Sequence, residues 1–177
     1  MDKKSILSYL KVGLILALIA SICGISIALL NSVTAPIIEN NAYLKEQETL
    51  SLIYDDATFE NLNIDLEESN ISKVYVAKKD EVVKGYVYIV SGKNAYGKIE
   101  LMIGITDGVV TAVEIMTNTQ SFGKLVNQYV DNLNDQEINN QNVFDLDVKC
   151  GATYGAKLVR SLIAVALEHY QGGFANE

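Results

Sequence analysis

From Val12 to Leu30 the chain reads VGLILALIASICGISIALL, nineteen residues with neither a charge nor a proline. Wound as a helix, such a run is long enough to cross a hydrocarbon core of about 30 Å. A membrane-spanning helix is expected here. The competing reading is a cleaved signal peptide, because the preceding MDKKSILSYLK is short and basic. The apolar run is long for that role, and the small-residue exit, Val33-Thr34-Ala35, is followed by Pro36, a poor residue beyond a cleavage point. A lipoprotein signal fails on the bulky Ile22 before Cys23. The residues favour an uncleaved anchor.

The flanks suggest an orientation. Lys3, Lys4 and Lys11 precede the span, whereas Glu39 and Glu46 follow it with only Lys45 nearby. Basic residues stay on the cytoplasmic side, so a cytoplasmic N-terminus and an extracytoplasmic remainder are expected. Residues 1–11 would be the cytoplasmic N-terminus, 12–30 the transmembrane helix, 31–72 a juxtamembrane helix and connector, and 73–177 one folded domain. Within the span, Gly13, Ala17, Ser21, Gly24 and Ala28 share one stripe, and small residues let a neighbouring helix approach closely.

The net charge of −8 argues against nucleic acid and anionic lipid surfaces as partners, since both would repel the chain. The two cysteines, Cys23 in the span and Cys150 far along the chain, cannot build a disulfide framework. The single histidine, His169, cannot complete a metal site with them, so no metal is expected. A Ser-His-Asp triad would have to use His169, which sits where a helix is ending and reads more simply as a solvated C-terminal histidine.

Beyond the span, Thr34-Ala35-Pro36 resembles a helix start with proline in the first turn, and Ile37, Leu44 and Ile53 give that helix a modest apolar face to about Tyr54. Asp55 to Asn70 is a polar, acidic connection. The period then changes to two. Lys73–Lys79 and Val82–Val90, separated by Asp80-Glu81, read as a hairpin; Ile99–Ile105 and Val109–Met116, separated by Thr106-Asp107-Gly108, read as another. Helical spacing returns at Lys124–Leu133, where Leu125, Val126, Tyr129, Val130 and Leu133 share a face, and from about Gly155 to Tyr170. Asn132–Asn142 between them reads as a surface loop. Strands followed by helices, without regular alternation, indicate an α+β fold with a mainly antiparallel sheet and flanking helices.

Thr153, in Cys150-Gly151-Ala152-Thr153-Tyr154-Gly155, stands where the last helix begins. One reading is that its hydroxyl caps the first turn. Another is that the helix N-terminus seats a phosphate, with Gly151 and Gly155 allowing close approach and Lys157 adding a full charge. It is not a nucleotide P-loop, because the second glycine comes one residue early and Ala156 separates it from the lysine.

Asp147 followed by Gly151-Ala152-Thr153 resembles the flavinylation signature of FMN-binding domains, Asp-x-x-[Ser/Thr]-Gly-Ala-Thr, with Cys150 in the Ser/Thr place. In that family the last threonine carries FMN through a phosphoester installed by a separate flavin transferase. Ala95-Tyr96-Gly97-Lys98-Ile99 partly matches the family's Gly-Tyr-x-Gly-x-Ile, and Asn118-Thr119-Gln120-Ser121-Phe122-Gly123 keeps the threonine and final glycine of His-x-Glu-Thr-Pro-Gly-Leu-Gly but not the proline. With its N-terminal anchor, the chain is similar to the G subunits of Rnf electron-transport complexes, relatives of the C subunits of sodium-pumping NADH:quinone reductases.

The resemblance implies that Thr153 is the attachment residue, with Asp147, Cys150, Gly151, Ala152 and Lys157 around it. It makes Tyr96, Thr119, Ser121 and Phe122 candidates for lining the flavin ring. It further implies an electron relay on the outer face of the membrane, within a complex linking ferredoxin and NAD to Na⁺ or H⁺ movement, with the other Rnf subunits and the FMN transferase as partners. The protein would supply position and electrostatics rather than an acid, base or nucleophile. The sequence offers no Gly-x-Gly-x-x-Gly after a strand and no iron–sulfur cysteine set, so those cofactors are expected in partner subunits. Two other classes remain open: a stand-alone membrane-anchored flavoprotein reductase, and a non-redox binding module in which the Gly-Ala-Thr turn is only a cap.

Overall fold

The computed structural model describes residues 3–62, 64 and 70–174, with side chains from Tyr9 onward. The side chains of Lys3 and Lys4 and the middle of the acidic connection, residues 65–69, lie outside the described residues.

Helix α1 (Lys3–Ile53) contains Pro36 in its interior. The second helix expected to start at Thr34-Ala35-Pro36 is therefore not separate. Proline removes a single backbone donor, and the rest of the ladder survives it in a long apolar helix. Thr34 Oγ1 donates back to the Leu30 carbonyl at 2.9 Å, a mid-helix bond rather than a cap. The large apolar side chains from Leu10 to Ile38 are exposed, an arrangement that requires lipid or protein around them. By length and composition, α1 from Tyr9 is the one helix among the described residues able to cross a membrane.

The chain divides into two compact units, Met1–Leu44 and Lys45–Glu177. The second unit takes in the end of α1 along with the sheet. Strands β1 (Thr58–Leu62), β2 (Ile71–Lys79), β3 (Val82–Asn94), β4 (Gly97–Thr106), β5 (Val109–Asn118) and β6 (Ile138–Asn139) form one sheet in sequence order, every pairing antiparallel. After β5 comes α2 (Gly123–Leu133), and after β6 a short 3₁₀ turn (Val143–Asp145) and α3 (Thr153–Gly173). An α+β fold results, as expected.

Both hairpins form as read. Asp80 and Glu81 take φ of 52° and 64°, and Asp107 and Gly108 take 51° and 77°, the left-handed pairs that match the twist of tight hairpins. Two strands fall where loops were expected. β1 lies inside the Asp55–Asn70 connection and β6 inside Asn132–Asn142. Both are short edge strands whose pairing depends on backbone hydrogen bonds, so their side chains carry little periodic signal.

Alternation assigns the two sheet faces. Val74, Val76, Tyr86, Tyr88, Val90, Ile99, Leu101, Ile103 and Ile105 point to one side, where α2 supplies Val126, Tyr129, Val130 and Leu133 and α3 supplies Val159, Leu162, Ile163, Ala166 and Leu167. Tyr75, Val87, Ile89 and Met102 point to the other, where Leu50 and Ile53 from the end of α1 and Tyr54 just beyond it cover them. Two glycines make room for that cover. A Cβ on Gly85 would stand 2.1 Å from the Tyr54 hydroxyl, and one on Gly104 would stand 2.4 Å from Ile53 Cγ2. Glu46 is held there by Lys73 Nζ at 2.9 Å and by the Tyr75 hydroxyl, and Lys45 donates to the Met116 carbonyl.

Candidate functional site

Three segments converge at one end of the sheet: the β3–β4 turn, the β5–α2 loop and the start of α3. The β3–β4 turn is tight, Asn94 pairing with Gly97 around Ala95-Tyr96. Gly97 is required at φ 141°, because a Cβ there would stand 2.3 Å from the Thr119 carbonyl oxygen. The turn and the β5–α2 loop are stitched together by Thr119 N–H to the Lys98 carbonyl at 2.9 Å and Ser121 N–H to the Tyr96 carbonyl at 3.0 Å. Asn94 then ties in α3, its Nδ2 donating to the Tyr154 carbonyl at 3.1 Å while its Oδ1 accepts from the Tyr96 N–H at 2.8 Å.

Between these segments lies a cavity of about 300 Å³. Tyr96 and Tyr154 form part of its wall, their rings stacked at 5.2 Å and 28°. Phe122 and Val126 extend the apolar surface, and Gln120 provides a polar side chain. The attachment segment contributes Gly151, Ala152, Thr153 and Gly155. Such a space, with aromatic side chains along its wall, has the shape for a planar ring. Phe122 and Tyr154 are largely exposed, at 59% and 63%.

Thr153 is the first residue of α3, and Ala152 occupies the N-cap position without a side-chain capping bond. The capping role open from the sequence is thus not the one the hydroxyl plays. Thr153 is exposed at the cavity rim, and the first N–H groups of a helix have no intrahelical partner. Gly151 has φ 80°, which lets the chain turn from the preceding loop into the helix. Gly155 is needed for packing: an added Cβ would stand 2.4 Å from Val126 Cγ2, so α2 and α3 touch there.

The other sequence candidates divide. Tyr96, Phe122, Gly151 and Ala152 line the cavity with Thr153. Thr119 and Ser121 do not; their hydroxyls serve the stitching, Thr119 Oγ1 accepting from the Lys98 N–H at 2.7 Å and Ser121 Oγ donating to the Tyr96 carbonyl at 3.4 Å. Asp147 Oδ1 accepts from the Lys149 N–H at 2.9 Å, a local turn bond in the approach to the motif. Cys150 is a half-buried free thiol packed against the core, and Lys157 is exposed one turn into α3, outside the cavity lining.

Tyr129 is buried, and its hydroxyl has no hydrogen-bond partner among the described residues; burial pushes its pKa up, opposed by Arg160 and assisted by Cys150 and Asp147. Arg160 of α3 holds the approach from the side, donating to the Phe144 carbonyl at 3.0 Å and lying over the Phe144 ring. Asn94, Gln120, Val126, Tyr154 and Arg160 were not singled out from the sequence. Only proximity to the motif could have pointed to Tyr154; the other four reach the site through tertiary contacts.

Fold and site together define an α+β domain that follows a helix able to cross a membrane and that places a threonine beside an aromatic cavity. Residues 1–53 match the family model of the RnfG N-terminal region. The match covers the segment that forms α1, and over that segment the chain is similar to RnfG-type subunits. No curated protein matches the chain.

Proposed function

We propose that this subunit carries FMN covalently on Thr153, through a phosphoester between the hydroxyl and the FMN phosphate, and relays electrons within the Rnf complex on the outer face of the membrane. The observation that carries the reading is that Thr153 is exposed at the first position of α3 and lines a cavity of about 300 Å³ walled by aromatic side chains.

The residues present fit the group. A phosphate on Thr153 would meet the unpaired N–H groups and partial positive charge at the start of a 21-residue helix. Tyr96, Phe122, Tyr154 and Val126 would face a planar ring and exclude water from it. Bound there, FMN supplies one- and two-electron transfer, and the chain supplies only its position and surroundings. A covalent tether suits an extracytoplasmic site, where a dissociated cofactor would be lost by diffusion.

Membrane partners are supported by the small-residue stripe of α1. Gly13 and Gly24 have open space where a Cβ would stand, leaving the stripe accessible to a neighbouring helix. An FMN transferase completes the proposed partner set, acting during maturation.

Denaturing electrophoresis with in-gel flavin fluorescence, on protein made in a host that supplies the transferase, tests the assignment. The native chain is expected to fluoresce and to exceed the mass of its own polypeptide by one FMN less one water, and Thr153→Ala to be dark and to have the mass of its bare polypeptide. A native chain with the mass of the bare polypeptide would overturn the reading.

A further inference from the structure

Gln120 lines the cavity and is only 8% exposed. Its Nε2 donates to Asn94 Oδ1 at 3.0 Å and to the Gly97 carbonyl at 2.6 Å. Both partners are acceptors, so turning the amide over would set oxygen against oxygen. Asn94 cannot relieve this by turning itself, because its Oδ1 also accepts from the Tyr96 N–H and its Nδ2 donates to the Tyr154 carbonyl. The Gln120 amide is thereby locked from two sides.

Its carbonyl oxygen is left over. Oε1 has no hydrogen-bond partner among the described residues, and it lies 3.5 Å from where a Cβ on Gly155 would stand, on the side of another cavity-lining residue. It is not among the side-chain atoms sealed from solvent without a partner, and it belongs to a residue that lines the cavity. An oriented acceptor in a mostly buried setting requires a donor, and a ligand that brings one is favoured over a ligand that brings another acceptor.

We infer that Gln120 Oε1 selects a ring with an N–H donor at its edge, and that it accepts the imide N–H of the bound flavin. The inference rests on the proposed FMN attachment at Thr153. In the oxidised ring the imide nitrogen is the sole N–H; N1, N5 and the two carbonyl oxygens accept, and each would be repelled by Oε1, while N10 is occupied by the ribityl chain. Gln120 is thus a positioning residue that turns the imide edge of the flavin inward, toward the β5–α2 loop.

The test uses the full-length chain co-produced with a flavin transferase in a ¹⁵N-labelled culture, with intact mass recorded first and the imide proton then followed by ¹H–¹⁵N NMR. In the native holoprotein this proton is expected to exchange more slowly than that of free FMN. In Gln120→Leu and Gln120→Met its exchange is expected to be roughly three- to tenfold faster, the size expected for loss of one neutral hydrogen bond, with its resonance moving toward the free position. A flavinylated native chain whose imide proton exchanges as fast as in free FMN overturns the inference, and this readout needs no variant to fold. The inference also falls if the imide signal is unchanged in a folded variant. A native chain without flavin by mass overturns the attachment reading as well, which separates the two failures.

Discussion

Gly151 shows how one residue's backbone sets up the site. At φ 80° it occupies a region that costs a residue with a Cβ about 1 to 2 kcal/mol, and an added Cβ would also stand 3.1 Å from Leu125 Cδ1. Gly151→Ala is therefore expected to lower stability by about that amount and to reduce the fraction of chains carrying flavin, measured by thermal melting and by the ratio of flavin to protein absorbance. Asn94 is the other residue on which the site depends, joining turn, loop and helix through one amide. Asn94→Ala removes three hydrogen bonds, each worth about 0.5 to 1.5 kcal/mol, and should both lower the melting temperature and loosen Gln120. Thr153 and Gly151 were legible from the motif. Asn94 and Gln120 were not, because ordinary loop amides acquire a role only when three distant segments meet.

Among the elements, the end of α1 carries the least expected role. The sequence suggested a juxtamembrane helix with a weak apolar face, yet Leu50 is fully buried and seals the second face of the sheet. Leu50→Ala is expected to cost about 2 to 5 kcal/mol, as deletion of a buried leucine side chain does. Gly85→Ala tests the same seam from the sheet side. Its Cβ would meet the Ile105 carbonyl oxygen at 2.6 Å as well as Tyr54, so strand or helix must shift; a loss of about 1 to 3 kcal/mol is expected in denaturant unfolding. The exposed Lys78–Glu60 pair, which joins β2 to the edge strand β1, should matter far less, and salt should scarcely change stability through it. A fragment covering residues 45–177 is expected to melt cooperatively without detergent, whereas one starting at residue 55, with the second sheet face bare, should melt lower or aggregate.

For the whole molecule, composition and topology act together. An apolar anchor and an acidic domain of net charge −8 over the chain are suited to a membrane subunit whose partners are proteins rather than nucleic acid. The chain should sediment with membranes and resist alkaline extraction. Protease added to intact spheroplasts should digest the domain, and flavin fluorescence should leave the membrane with the released fragment; protection until the cells are lysed would place the domain on the cytoplasmic side and contradict the proposed relay. Glu46 and Lys45, counted from sequence as flanking charges, are instead engaged with Lys73, Tyr75 and the Met116 carbonyl. What favours a cytoplasmic N-terminus is therefore Lys3, Lys4 and Lys11 before the span and the lack of basic residues between Leu30 and Lys45.

Sequence alone determined the features written in local chemistry. These are the uncharged run that needs lipid, the two-residue hairpin turns, the period-two strands, the apolar faces of α2 and α3, and the Gly-Ala-Thr segment before a helix. Each is readable because neighbouring residues specify it. Tertiary structure decided that Pro36 lies within a single helix, that weak segments at residues 58–62 and 138–139 pair as edge strands, and that the end of α1 covers the sheet. It also decided which candidates face the cavity: Tyr96 and Phe122 do, while the hydroxyls of Thr119 and Ser121 are used in stitching one loop to another. The physical reason is common to all of these. Edge pairing, helix docking and the direction of a side chain depend on groups far apart in the chain, and their energies exist only once the fold has brought those groups together.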